Sequence, residues 1–105
     1  MLHGLMVLSM LALPVPAGEV FGDLRMGEKY LAGVKLELKC GAEVASDTTD
    51  ASGSFRIAVK SGGKCTLTAS YEKHTPSIEI VVFDKPARYR FLLEAKDGVY
   101  VLKRV

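Results

Sequence analysis

Val34-Lys35-Leu36-Glu37-Leu38-Lys39-Cys40 alternates apolar and charged residues without a slip. Successive side chains of a β-strand point to opposite faces, so Val34, Leu36, Leu38 and Cys40 line one side and the charges line the other. That is a strand with one face in a core and one in water. The same period recurs at Phe55, Ile57 and Val59, which alternate with Ser54, Arg56 and Lys60. It recurs again at Cys65, Leu67, Ala69 and Tyr71, which alternate with Lys64, Thr66, Thr68 and Ser70. Residues 20–24 and 42–46 carry weaker versions. Ile78 to Phe83 is apolar on both faces, which predicts a central strand or one lying under a loop.

Glycines and prolines separate these runs at short intervals, with no stretch at helical period between them. Asp97-Gly98 fits a two-residue type I′ turn joining 87–96 to 99–105. Pairing outward from that turn puts Tyr89, Phe91, Leu93, Tyr100 and Leu102 on a core face. Arg90, Glu94, Lys96, Val99, Val101 and Lys103 fall on the opposite face. The expected fold is all-β, a seven- to eight-stranded antiparallel β-sandwich, with no internal repeat or linker.

The chain has 105 residues, which supports one domain. Fourteen Lys and Arg face twelve Asp and Glu, and the net charge of +2 excludes a nucleic-acid binder of the polybasic kind. Residues 1–17, MLHGLMVLSMLALPVPA, carry no formal side-chain charge apart from His3. The apolar run from Leu5 to Leu13 is too short to span a bilayer but suits the hydrophobic region of a signal peptide, although no Lys or Arg precedes it. Pro14 and Pro16 stop a helix, and Val15-Pro16-Ala17 offers a cleavage site before Gly18. The expectation is a signal peptide at 1–17, a domain at 18–105, a periplasmic or secreted location, and no stable membrane anchor after cleavage.

Cys40 and Cys65 both fall in the inward phase of their strands. An even pair in a small exported domain points to a disulfide. Metal-type CxxC spacing is absent, and His74 would be the sole histidine after cleavage. No metal or cofactor is therefore expected.

Gly22-Asp23-Leu24, Gly27 and Leu31-Ala32-Gly33-Val34-Lys35-Leu36-Glu37-Leu38 resemble the opening of carboxypeptidase regulatory-like domains. Thr49-Asp50-Ala51-Ser52-Gly53-Ser54-Phe55 is similar to that family's central turn. Gly63-Lys64-Cys65 resembles its Gly-x-aromatic strand start, with Cys65 where Tyr is usual. The likeness spans most of Glu19 to Leu93, and the chain is also similar to small stand-alone exported bacterial versions. It implies a transthyretin-like sandwich, grouped with carbohydrate-binding-like folds, that works as a non-catalytic accessory module.

The residues give the same expectation. His74 lies in Lys73-His74-Thr75-Pro76, an exposed loop with no evident nucleophile or orienting group. Asp47, Asp50 and Ser52 could offer oxygens to calcium, but Asp and Ser in such turns more often bind local backbone N–H groups. The chain is therefore expected not to be an enzyme. Its partner is expected to be an envelope protein, met by the basic residues Arg88, Arg90, Lys103 and Arg104. The other reading of those charges is that they guard an edge hairpin against strand-to-strand aggregation. The alternative partner is a glycan, with Tyr30 the exposed aromatic contact. The domain contains no Trp, Asn or Gln, which sugar platforms favour.

Overall fold

A computed structural model describes residues 18–105; the expected signal peptide lies outside the described residues. They form β1 (Gly18–Met26), β2 (Lys29–Tyr30), β3 (Lys35–Cys40), β4 (Glu43–Thr48), β5 (Ser54–Val59), β6 (Gly63–Ser70), β7 (Ser77–Val82), β8 (Ala87–Lys96) and β9 (Val99–Arg104). One sheet has four strands in the order β4-β3-β6-β7. The other has five: β2, β1, β8 and β9 follow one another, and β5 pairs with β1. The all-β sandwich stands, with two differences from the expected pattern. Short β2 raises the count to nine among the described residues. β1 and β8 run parallel, with Val20 opposite Ala87 and Arg25 opposite Leu92.

The inward sets found from alternation are the core, except that Tyr71 and Tyr100 are only half-buried and pack against it. Leu36, Leu38 and Leu67 of one sheet and Val20, Leu24, Ile57, Phe91 and Leu93 of the other are almost fully buried. Phe91 stacks between Phe55 and Tyr89, each ring centroid 5.9 Å away. The Asp97-Gly98 turn has φ of 52° and 80°, as a type I′ turn requires. Residues 78–83, by contrast, belong to the sheet edge, where Val81 and Phe83 stay exposed. The Tyr89 hydroxyl donates to the Val81 carbonyl and ties this edge to the opposite sheet.

Cys40 and Cys65 are disulfide-bonded, with Cα atoms 4.4 Å apart. The bridge joins neighbouring strands within one sheet, continuing the β3–β6 register one step past Lys39 opposite Thr66. Between the two cysteines the chain makes β4, crosses to the other sheet as β5, and returns.

Two local devices hold the crossing. Thr49 is buried, and its hydroxyl donates to the Leu31 carbonyl at 2.7 Å while accepting from the Val34 N–H at 2.9 Å. Thr49→Val keeps the shape but leaves both backbone groups unpaired. It is expected to cost about 2 kcal/mol in urea denaturation, whereas Thr49→Ser stays close to wild type.

The second device closes the open edge of β5. Glu43 accepts from the Lys60 and Ser61 N–H groups at 2.8–3.1 Å, and Asp47 accepts from the Arg56 N–H at 2.8 Å. These carboxylates of β4 take up donors that would otherwise template another strand. The two backbone N–H groups hold the Glu43 carboxyl below its usual value of 4.5. Folding thus removes affinity for a proton. The stabilisation is complete above that usual value and is lost as pH falls through the lowered one. Glu43→Gln is accordingly expected to flatten the fall in melting temperature between about pH 6 and about pH 3.

Candidate functional site

The outer face of the five-stranded sheet gathers side chains from strands far apart in sequence. Strand register sets Phe21 of β1 between Arg56 of β5 and Arg88 of β8. In the next row Asp23 lies between Ser54 and Arg90. In the one after, Arg25 lies between Tyr30 and Leu92. Neighbours in register project from the same face, so these residues form one continuous surface.

Its electrostatics are partly settled internally. The Arg56 guanidinium lies 4.9 Å from the Phe21 ring centroid, a cation–π arrangement. Arg56 also pairs with Glu19 at 2.8 Å. Arg90 approaches Asp23 Oδ2 at 3.6 Å, beyond hydrogen-bond distance. Arg88 is exposed and, among the described residues, has no ion-pair or hydrogen-bond partner. Beside Phe21 the surface dips into an open depression of about 500 Å³, bounded by Asp23, Asp47, Asp50, Ser54, Arg56 and Arg88. The Asp50 carboxylate accepts from the Ser52 and Ser54 N–H groups at 2.9 Å, and Asp47 also accepts from Thr48. These two acids therefore have the backbone-binding role expected of them.

The residues singled out from the sequence do not all gather here. Arg88 and Arg90 share the outer face of β8. Lys103 lies one strand further and pairs with Glu94 at 2.9 Å, which holds the Glu94 carboxyl below its ordinary value. Arg104 sits over the Tyr89 ring, 4.4 Å from its centroid. Tyr30 is 43% exposed and lies at a corner of the face, next to Arg25. Phe21, Asp23 and Arg56 complete the surface without having been singled out. Their signal is an aromatic in the polar phase of β1, between Glu19 and Asp23.

A second cluster lies at the far end of β6. Tyr71 and His74 exchange backbone hydrogen bonds across Glu72-Lys73, whose φ values of 47° and 69° make a tight turn without glycine. The expected loop is thus a hairpin tip. The Tyr100 ring lies edge-on to Tyr71 and His74, with centroids 5.3 and 4.8 Å away. Its hydroxyl donates to Glu72 at 3.2 Å. Desolvation and that carboxylate raise the Tyr100 pKa, so the phenol stays protonated at neutral pH.

No family model matches the chain, and no curated protein matches it. Among solved structures, the 5-hydroxyisourate hydrolase of Klebsiella pneumoniae superposes with a TM-score of 0.61 at 17% identity. The match covers 84% of this chain and 98% of that one. A 9R-lipoxygenase from Cyanothece PCC8801 matches at a TM-score of 0.46 and 14% identity, over 79% of this chain and 17% of that one, too weakly to add to the picture. The domain is a transthyretin-like β-sandwich. The expectation that it is not an enzyme is corrected by the first match, because a hydrolase is built on this same sandwich. The error lay in reading a fold as an occupation: architecture does not decide chemistry.

Proposed function

We propose that the domain is an exported binding module that holds an acidic segment of an envelope protein against the outer face of its five-stranded sheet. The observation that supports this most is Phe21 bracketed in register by Arg56 and Arg88, the latter without an internal partner. Such a face attracts an anionic partner electrostatically and offers an aromatic surface to its side chains. Export rests on the leader composition, and the disulfide agrees with an oxidising compartment. Fluorescence anisotropy with a labelled glutamate-rich peptide tests the reading. Affinity is expected to fall between about 50 and about 300 mM salt, and by about tenfold in Arg88→Glu. Lys64→Glu, on the other sheet, leaves it unchanged. Equal binding by wild type and Arg88→Glu contradicts the proposal.

Hydrolysis is the second reading, favoured by the fold match and by His74 lying against Tyr100 beside Glu72. Turnover of 5-hydroxyisourate that disappears in His74→Ala would establish it. The glycan alternative rests on Tyr30 alone, and retention on immobilised glycans that is lost in Tyr30→Ala is its test.

A further inference from the structure

We infer that the depression beside Phe21 receives the free carboxyl terminus of a peptide, the carboxylate meeting Arg88 and the terminal residue's own N–H meeting Asp23. This rests on the acidic-segment reading and narrows it to a chemical group.

The inference starts from two unmet requirements in one concavity. Asp23 is only 9% exposed, and its Oδ1 is buried without any hydrogen-bond donor. Oδ1 is closed to solvent, so a ligand reaches the carboxylate through Oδ2, and rotation about Cβ–Cγ exchanges the two oxygens without adding a donor. The carboxylate still has a single arginine contact at 3.6 Å, although it can accept about four hydrogen bonds. A buried acceptor without a donor costs stability, so its place on a concave, otherwise well-paired surface calls for an explanation beyond folding. Arg88, on the same depression, is a guanidinium without an anion.

A ligand that satisfies both must bring an anion and a donor close together. A simple anion such as sulfate would meet Arg88 but bring no donor to Asp23. A simple cation would meet the acids but face Arg56 and Arg88. A terminal peptide residue carries a carboxylate and an amide N–H on one Cα, in the right order of size for side chains in adjacent rows of the sheet. The planar guanidinium takes a carboxylate through two parallel hydrogen bonds, a geometry an ammonium cannot offer. Phe21 lines the same depression and gives the terminal side chain an apolar contact. The wide mouth leaves that side chain loosely selected.

The test uses one N-terminally labelled, glutamate-rich hexapeptide in two forms, with its C-terminus free or amidated. Anisotropy titrations against wild type, Arg88→Gln and Asp23→Asn, with the melting temperature of each protein, give the outcome. Amidation is expected to weaken binding to wild type about tenfold, since it removes the terminal charge. Arg88→Gln and Asp23→Asn should each weaken the free-acid peptide by a similar factor and leave the amidated form nearly unchanged. Asp23→Asn should melt close to wild type, because the carboxylate has only the 3.6 Å Arg90 contact to lose and no hydrogen bond. If both peptide forms bind wild type equally while Arg88→Glu still weakens binding about tenfold, the terminal-carboxylate inference falls and the acidic-face reading survives. If neither form binds, both fall. A marked drop in melting temperature for Asp23→Asn would make Asp23 a structural residue and overturn its role here.

Discussion

Reducing the Cys40–Cys65 bridge is expected to lower the melting temperature by about 15 °C, and Cys40→Ser should reproduce the fall without reductant. The bridge closes a loop spanning 25 positions, which in the chain-entropy description restricts the unfolded state by about 3 to 4 kcal/mol. A domain of this size has a total stability of about 5 to 15 kcal/mol, so the share is large. Its placement adds to the effect. The enclosed segment is the excursion through β4 and β5, the one point where the chain leaves the four-stranded sheet and re-enters it between β3 and β6. Both sulfurs are buried, so reduction also leaves two thiols in a packed core. Scanning calorimetry with and without reductant checks this. An unchanged transition would mean that the crossing is held by Thr49 and the β4 carboxylates alone.

Gly22→Ala is expected to be at least as damaging, at about 3 kcal/mol or more in urea denaturation. Gly22 faces inward opposite Tyr89 in the parallel β1–β8 pair. A Cβ there would lie 1.6 Å from the Tyr89 carbonyl oxygen and 2.7 Å from its carbon. Backbone, not a flexible side chain, stands in the way, so the central pair of the five-stranded sheet must separate locally. Gly27→Ala is the control. Gly27 has φ of 63° and nothing within 4 Å of an added Cβ, so the change costs only the left-handed conformation, about 1 kcal/mol. A Gly22→Ala protein as stable as Gly27→Ala would contradict the described pairing of β1 with β8.

What was legible in the sequence was what neighbouring residues decide. β3, β5 and β6 announce themselves because each has one buried face, and alternation over six to eight residues records that directly. The Asp97-Gly98 turn is legible because its backbone demands positive φ, which that dipeptide supplies. The cysteines share an inward phase, which is a local fact too. The parallel pairing of β1 with β8 is not local, since it joins segments more than sixty positions apart and leaves no mark on either. Residues 78–83 are apolar on both sides, yet they form an edge, because pairing partners rather than composition assign strand order. The Glu72-Lys73 turn was hidden for the opposite reason: it uses positive φ without glycine or asparagine.

The candidate face divides along the same line. Arg88 and Arg90 were visible as part of a basic C-terminal run. Lys103 and Arg104 belong to that run only in sequence; in space one is neutralised by Glu94 and the other covers Tyr89. Phe21, Asp23 and Arg56 come together through two separate strand registers, and only the sheet topology makes them neighbours.

The binding role of this face is tested most directly by following backbone amide shifts of the ¹⁵N-labelled protein during titration with the glutamate-rich peptide. The largest changes should map to Phe21, Asp23, Arg56 and Arg88, and fade in Arg88→Glu. Changes centred instead on His74 and Tyr100, or spread evenly over both sheets, would contradict the account.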